Sequence, residues 1–171
     1  KEMSDYSEEE FARVRTKKMG FVFQSFNLLA RTRVLENVKL PLLYSDIPEG
    51  KWNELAMHAI EAVGLTHRLR YVPSQLSGGE KQRAAIARAL VLSPQVIFAD
   101  EPTGNLDSKS GQLVMETIQD LNERYGHTVV LITHETYTAQ HAGRIIHLMD
   151  GMIEREEKVH NRHEARRHFE K

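Results

Sequence analysis

The sequence predicts an α/β domain, a mainly parallel sheet covered by helices, with a helical block inserted into it. Three observations carry this prediction. Apolar runs of strand length at 19–23, 96–99 and 128–133 are separated by stretches with helical periodicity. Strands that alternate with helices need crossover connections, which make neighbouring strands parallel and leave helices on the sheet faces. Between the first run and the second lies a long segment, 34–75, whose apolar spacing is helical throughout.

The elements follow in order. Residues 8–18 are short, charged and compatible with a helix, and they run into Met19-Gly20-Phe21-Val22-Phe23, a strand ended by Gln24. Residues 34–44 are rich in apolar side chains. From Trp52 onward, Leu55, Ala56, Ala59, Ile60 and Val63 recur at helical spacing, with Gly64 as the stop. After Pro73 a polar loop leads to a helix entered at Ser77 and carried by an alanine-rich stretch, so the helical insertion with this helix spans about 34–90. Pro94 closes that helix. Val96-Ile97-Phe98-Ala99 is a second buried strand, followed by a helix with Val114, Ile118 and Leu121 on one face and Gly126 near its end. Residues 128–133 form a third strand. Segments 144–149 and 152–155 flank Asp150-Gly151, a strong hairpin signal, so the sheet is expected to end in a hairpin. The domain is expected over 1–157, with a charged, solvated C-terminal tail over 158–171. Because the first residue is Lys1 and the opening stretch is polar, the native chain is expected to begin further upstream.

Composition removes several function classes. A chain of 171 residues with 40% hydrophobic content has room for one domain with a core. Lys and Arg number 23 against 24 Asp and Glu, so no overall positive field draws the chain to nucleic acid or an anionic membrane. With no cysteine, disulfides and thiolate metal sites are excluded. No apolar run approaches the ~18 residues of a membrane span, so a soluble chain is expected whose membrane role runs through a partner.

Two motifs carry chemistry. Leu76-Ser77-Gly78-Gly79-Glu80-Lys81-Gln82-Arg83 places a hydroxyl and two residues without side chains at the mouth of a helix. Backbone N–H groups and the positive end of the helix dipole can approach phosphate oxygens closely where no Cβ intervenes, and the serine adds a donor. An ordinary serine cap before a flexible glycine pair is the alternative. The second motif is an apolar strand, 96–99, ending in the adjacent carboxylates Asp100 and Glu101. The C-terminal edge of a parallel sheet is where ligands sit. Asp100 is suited to hold Mg2+ through its water shell, and Glu101 to polarise the water that attacks a γ-phosphate.

In this order Gln24, 76–83, 99–107 and His134 resemble the nucleotide-binding domain of ABC transporters. The resemblance implies a P-loop NTPase-like sheet with an inserted helical subdomain, and ATP and Mg2+ as ligands. It implies that Gln24 is the Q-loop glutamine, touching Mg2+ or the attacking water. Ser77, Gly78, Gly79 and Glu80 match the signature that closes over ATP held by an opposite subunit. Asp100 matches the Walker B aspartate that serves Mg2+, Glu101 the catalytic base, Asp107 the D-loop acid and His134 the switch histidine that contacts the γ-phosphate. Partners implied are an integral membrane permease and a second ATP-binding subunit in a head-to-tail dimer, at the cytoplasmic face of the inner membrane. Segments 21–29, 36–42 and 99–107 resemble the branch serving lipoprotein release, macrolide export and FtsE-like division complexes, although Ala30 and Thr32-Arg33 depart from its more apolar pattern.

No stretch of the sequence matches G-x-x-x-x-G-K-[ST], the loop that cradles phosphates, so the strands and P-loop that precede it in the family are expected to be missing and hydrolysis by this chain alone to be weak or absent. Gly50-Lys51 imitates the motif, but Ser45 and Trp52 stand where a glycine and a hydroxyl belong. His163 and His168, five apart, fall on different faces of a helix and do not make a zinc pair. Arg13, Arg15, Lys17 and Lys18 read as charge on an exposed helix. Leu35, Val38, Leu40, Leu42 and Leu43 read equally as core of the insertion or as a docking face for a membrane subunit. Two rival functions stay open. One is a soluble ABC protein acting on DNA or ribosomes, against which only 53 positions separate Gln24 from Ser77, too few for a long coiled-coil arm. The other is a catalytically incomplete partner that lends only its signature.

Overall fold

The computed structural model describes residues 5–166. Helix α1 (Glu8–Lys18) starts at a capping box, with the Ser7 side chain accepting from the Glu10 N–H and Glu10 returning the bond to the Ser7 N–H. Acidic residues in its first turn and basic ones in its last oppose the helix dipole favourably. Arg13 pairs with Glu9 at 2.7 Å and Lys17 with Asp46 at 2.8 Å, so this cluster is a solvated helix face.

Strands β1 (Met19–Val22), β2 (Val96–Asp100) and β3 (Thr128–Ile132) form a parallel sheet in the order β1-β2-β3. The first strand is one residue shorter than expected, and the Phe23 carbonyl that follows it accepts from the Gln82 side chain. One face of the sheet, with Val22, Ile97 and Ala99 buried, packs on α4 (Gly78–Leu90) and α5 (Ser108–Glu123). The helical insertion is α2 (Val34–Lys39), a 3-10 segment Leu40–Tyr44, α3 (Trp52–Ala62) and the turns that lead to α4. Val38 and Leu42 are fully buried in the common core, so this stripe is mostly core, while Leu43 and Tyr44 stay exposed. Gly50-Lys51 lies in a 3-10 turn that runs into α3.

The opposite sheet face is partly exposed among the described residues. Phe21, Phe98 and Val130 stand side by side in register on it, Phe21 stacked on Phe98 at 5.2 Å. Parallel sheets are ordinarily covered on both faces.

Strand β4 (Arg144–Met149) turns through Asp150-Gly151, both at positive φ, into antiparallel β5 (Met152–Lys158). Here the expectation needs correction. The hairpin is a separate two-stranded sheet, not the end of the main one, because no hydrogen bonds join β3 to β4. Between them lies a cavity of about 700 Å3 lined by Met115, Ile118, Val129, Leu131, Ile146 and Leu148, among others.

The charged tail also needs correction. Over residues 159–166 the chain folds back on α5. The Gln119 amide donates to the His163 carbonyl at 2.7 Å and accepts from the Ala165 N–H at 2.8 Å, Arg162 and Arg166 pair with Glu123 and Asp120, and Ala165 is fully buried. His168 lies outside the described residues.

Candidate functional site

The carboxylates occupy the C-terminal edge of the sheet. Asp100 is the last, exposed residue of β2, opposite Ile132 of β3. The chain then turns through Glu101 in the left-handed region, φ 43°, a conformation that costs a non-glycine residue energy and is met where geometry is demanded. The turn is held by the Glu101 N–H, which donates to the Ile132 carbonyl at 2.9 Å. It aims the Glu101 side chain across the end of β3. There Oε1 accepts from the His134 N–H at 2.8 Å and lies 2.7 Å from His134 Nδ1, while Oε2 accepts from the Thr133 hydroxyl at 3.2 Å. Glu101 is largely enclosed, with 16% of its side chain exposed, whereas His134 at 84% faces solvent. The expected base and switch histidine are thus one hydrogen-bonded unit.

Gln24 joins this edge from β1. Its Nε2 lies 3.5 Å from Asn105 Oδ1, and Asn105 Nδ2 donates to the Gln24 carbonyl at 3.2 Å. Gly104 permits this approach, because a Cβ there would fall 2.5 Å from Gln24 Nε2. Asp107 is the N-cap of α5, accepting from the Ser110 N–H at 3.0 Å, and that bond with the Ser110 hydroxyl holds its carboxyl below the ordinary range.

At the start of α4, Ser77 is an N-cap in a capping box: its hydroxyl accepts from the Glu80 N–H at 3.2 Å and Glu80 accepts from the Ser77 N–H at 2.8 Å. Glu80 also accepts from Arg68 Nε at 2.7 Å. Burial raises the Glu80 pKa, but the Ser77 N–H and Arg68 outweigh it and leave the carboxyl below its ordinary value. Both carboxylate oxygens are therefore engaged within the chain, where Glu80 fixes the cap. The glycine pair has an internal reason as well. A Cβ on Gly78 would meet Leu106 Cδ2 at 3.0 Å, and one on Gly79 would meet Ser110 Cβ at 3.0 Å. The glycines let α4 lie against the 104–110 segment.

Sequence reasoning missed three side chains that hold these loops. Asn37 is fully buried and bonds the Leu29 N–H and the Leu29, Thr32 and Arg33 carbonyls. Arg88 donates to the Phe26 and Asn27 carbonyls, at two residues with positive φ. Gln82 reaches Phe23 and Pro102. An amide or guanidinium at a core-facing helix position is the one signal that marks them in the sequence. Among the described residues no group of three or more His, Asp or Glu side chains forms a metal cage. The oxygen donors of Asp100 and Gln24 suit a hard cation that keeps waters and phosphate oxygens as its other ligands.

A parallel sheet with paired acids at its C-terminal edge, packed on a helix that begins with a glycine pair, fits the class of P-loop NTPase-like folds. Comparison with protein families matches residues 2–104 to the ABC transporter family, and the chain belongs to that family, in its ATP-binding part. It is similar to the macrolide export ATP-binding/permease protein MacB of Bdellovibrio bacteriovorus, 46% identical over 159 residues, covering 93% of this chain and 24% of the relative. Similarity to the ABC transporter ATP-binding protein YknY of Bacillus subtilis is 47% identity over 152 residues, covering 89% of this chain and 66% of YknY. The solved ATP-binding cassette MJ0796 of Methanocaldococcus jannaschii, a dimer bound to ADP and Pi, superposes with a TM-score of 0.76 at 42% identity, covering 92% of this chain and 69% of that one. This chain therefore spans about a quarter of the length of one relative and about two thirds of the others.

Proposed function

We propose that this chain is the part of an ABC transporter ATPase that supplies the catalytic acid, the switch histidine and the signature, and that its domain extends past residue 157 to take in the docked segment 159–166. The observation that carries the reading is the Glu101–Thr133–His134 cluster beside Asp100 at the strand ends. Glu101 accepts a proton from the attacking water, and its present bond to His134 fixes where that carboxylate can reach. His134 lies ready to stabilise charge on the transferring phosphoryl group. Asp100 and Gln24 would hold Mg2+, which would draw charge from the phosphate oxygens. Ser77, Gly78 and Gly79 face ATP held by a second subunit, and Asp107 lines the junction between the two copies. The dimeric state of MJ0796 with ADP and Pi supports the shared-ATP arrangement.

The partly exposed sheet face and the slot between β3 and β4 support a further βα unit from the same protein, pairing with β3 and bringing a phosphate-binding loop to Asp100. The membrane partner is a permease, as the name of the MacB relative supports, and export of macrolide type or lipoprotein release is the branch-level reading. The working location is the cytoplasmic face of the cell membrane; no described helix is long and apolar enough to cross it. A second reading is a module that lends only its signature to a complete partner. Turnover by the chain joined to a P-loop segment separates the two. Glu101→Gln lowers kcat by about 10²–10⁴-fold with ATP binding retained if Glu101 is the base; an unchanged kcat sinks that assignment.

A further inference from the structure

Gln82 is fully buried, and a buried amide is costly unless its polar atoms are bonded. Its Nε2 donates to the Pro102 carbonyl at 2.9 Å and, at a longer 3.3 Å, to the Phe23 carbonyl. Its Oε1 is buried without a hydrogen-bond partner among the described residues. An apolar side chain of that length would fill the same space without stranding an oxygen. What the amide adds is a tie between two distant segments. Phe23 precedes Gln24, Pro102 follows Glu101, and Gln82 itself rides on the helix that begins after Ser77.

We propose that Gln82 is a positioning residue that holds Gln24, Glu101 and Ser77 in one mechanical frame, so that a displacement of α4 carries both loops with it. A second contact between the same loops, Asn105 Nδ2 to the Gln24 carbonyl at 3.2 Å, closes the frame at the surface. Arg88, six residues further along α4, binds the Phe26 and Asn27 carbonyls and gives the helix a second hold on the Gln24 loop. Any partner that moves the Gln24 loop therefore also moves the turn at Glu101. The catalytic meaning of this coupling rests on the function proposed above; the tie itself does not.

Native-state hydrogen exchange on this chain tests it without any nucleotide. The Phe26 N–H bonds the Phe23 carbonyl and the Leu106 N–H bonds the Thr103 carbonyl, so each loop carries a reporter. In the wild-type chain both reporters are expected to open in one subglobal event, with the same denaturant dependence. In Gln82→Met, which keeps the volume and removes the donors, both lose protection, by roughly tenfold each, while the β2–β3 ladder keeps its own. Loss in one loop alone, or in neither, overturns the proposal. If Gln82→Met loosens the ladder too, the wild-type result decides: a shared opening supports the frame and independent opening of the two loops overturns it. A chain without ATPase activity in any form would undo the function and leave this result standing.

Discussion

At the scale of single residues, the site is set by close approach and by local hydrogen bonds. Gly79 has Ser110 where a methyl group would sit, at 3.0 Å from its Cβ. Gly79→Ala is therefore expected to destabilise the chain by about 1–3 kcal/mol in chemical denaturation, and Ser110→Gly in the same chain to recover part of the loss. Glu80 makes a pH-dependent contribution. Its carboxyl lies below the ordinary value of 4.5, so the stability it adds is fully present above pH 4.5 and is lost as pH falls through the lower folded value. Glu80→Gln should accordingly lower stability at pH 7, and the gap to wild type should narrow on acidification below pH 4.5. A gap independent of pH over that range would show that the charge on Glu80 adds nothing. These residues were unevenly legible in the sequence. Ser77, Asp100, Glu101 and His134 announce themselves by motif, and the structure groups the last two. The reason for the glycine pair was not legible, because Leu106 and Ser110 reach it only after the chain has crossed β2. Ser77 and Glu80 stand at capping-box spacing, a local signal that accounts for their mutual bonds.

At the scale of elements, local patterns transferred well and lateral arrangement did not. The helix over Glu8–Lys18, the stop at Gly64, the helix entry at Ser77 and the Asp150-Gly151 hairpin all follow from caps, periodicity and turn chemistry, which act within a few residues. That the hairpin stands apart from β3 depends on what lies between them, which periodicity does not encode. The docked 159–166 segment was hidden for a similar reason: its charges read as solvated, whereas Gln119 and the small Ala165 let it seat on α5. A residue packed against this segment has its own pH dependence. His141, 2% exposed, is kept below its ordinary 6.5 by burial and packs edge-on to Tyr137 and His163. The unfolded chain then binds the proton more readily, so stability is full above pH 6.5 and declines as pH falls toward the folded value. His141→Gln should flatten the stability profile just below pH 6.5; an unchanged slope there would assign the acid sensitivity to other groups.

At the scale of the whole molecule, the proposed site lies at the end of a three-stranded sheet. Glu101, Thr133 and His134 are bonded to one another there, while the sheet keeps a partly exposed face at Phe21, Phe98 and Val130 and, among the described residues, an unpaired edge at β3. An exposed parallel edge with apolar neighbours is prone to pair with another strand. Covering it with the βα unit proposed above should raise the thermal midpoint and reduce association of the chain at high concentration, as differential scanning calorimetry and light scattering would register. The fold class was legible throughout, because alternating strand and helix patterns admit few topologies. The measurement that tests the central claim most directly is Mg2+-dependent ATP turnover, compared between the chain alone and the chain joined to a strand that carries a G-x-x-x-x-G-K-[ST] loop. The account predicts no turnover alone, turnover in the joined form, and its loss on Glu101→Gln. Turnover by the chain alone that disappears with Glu101→Gln, or none in a joined form that folds, would contradict it.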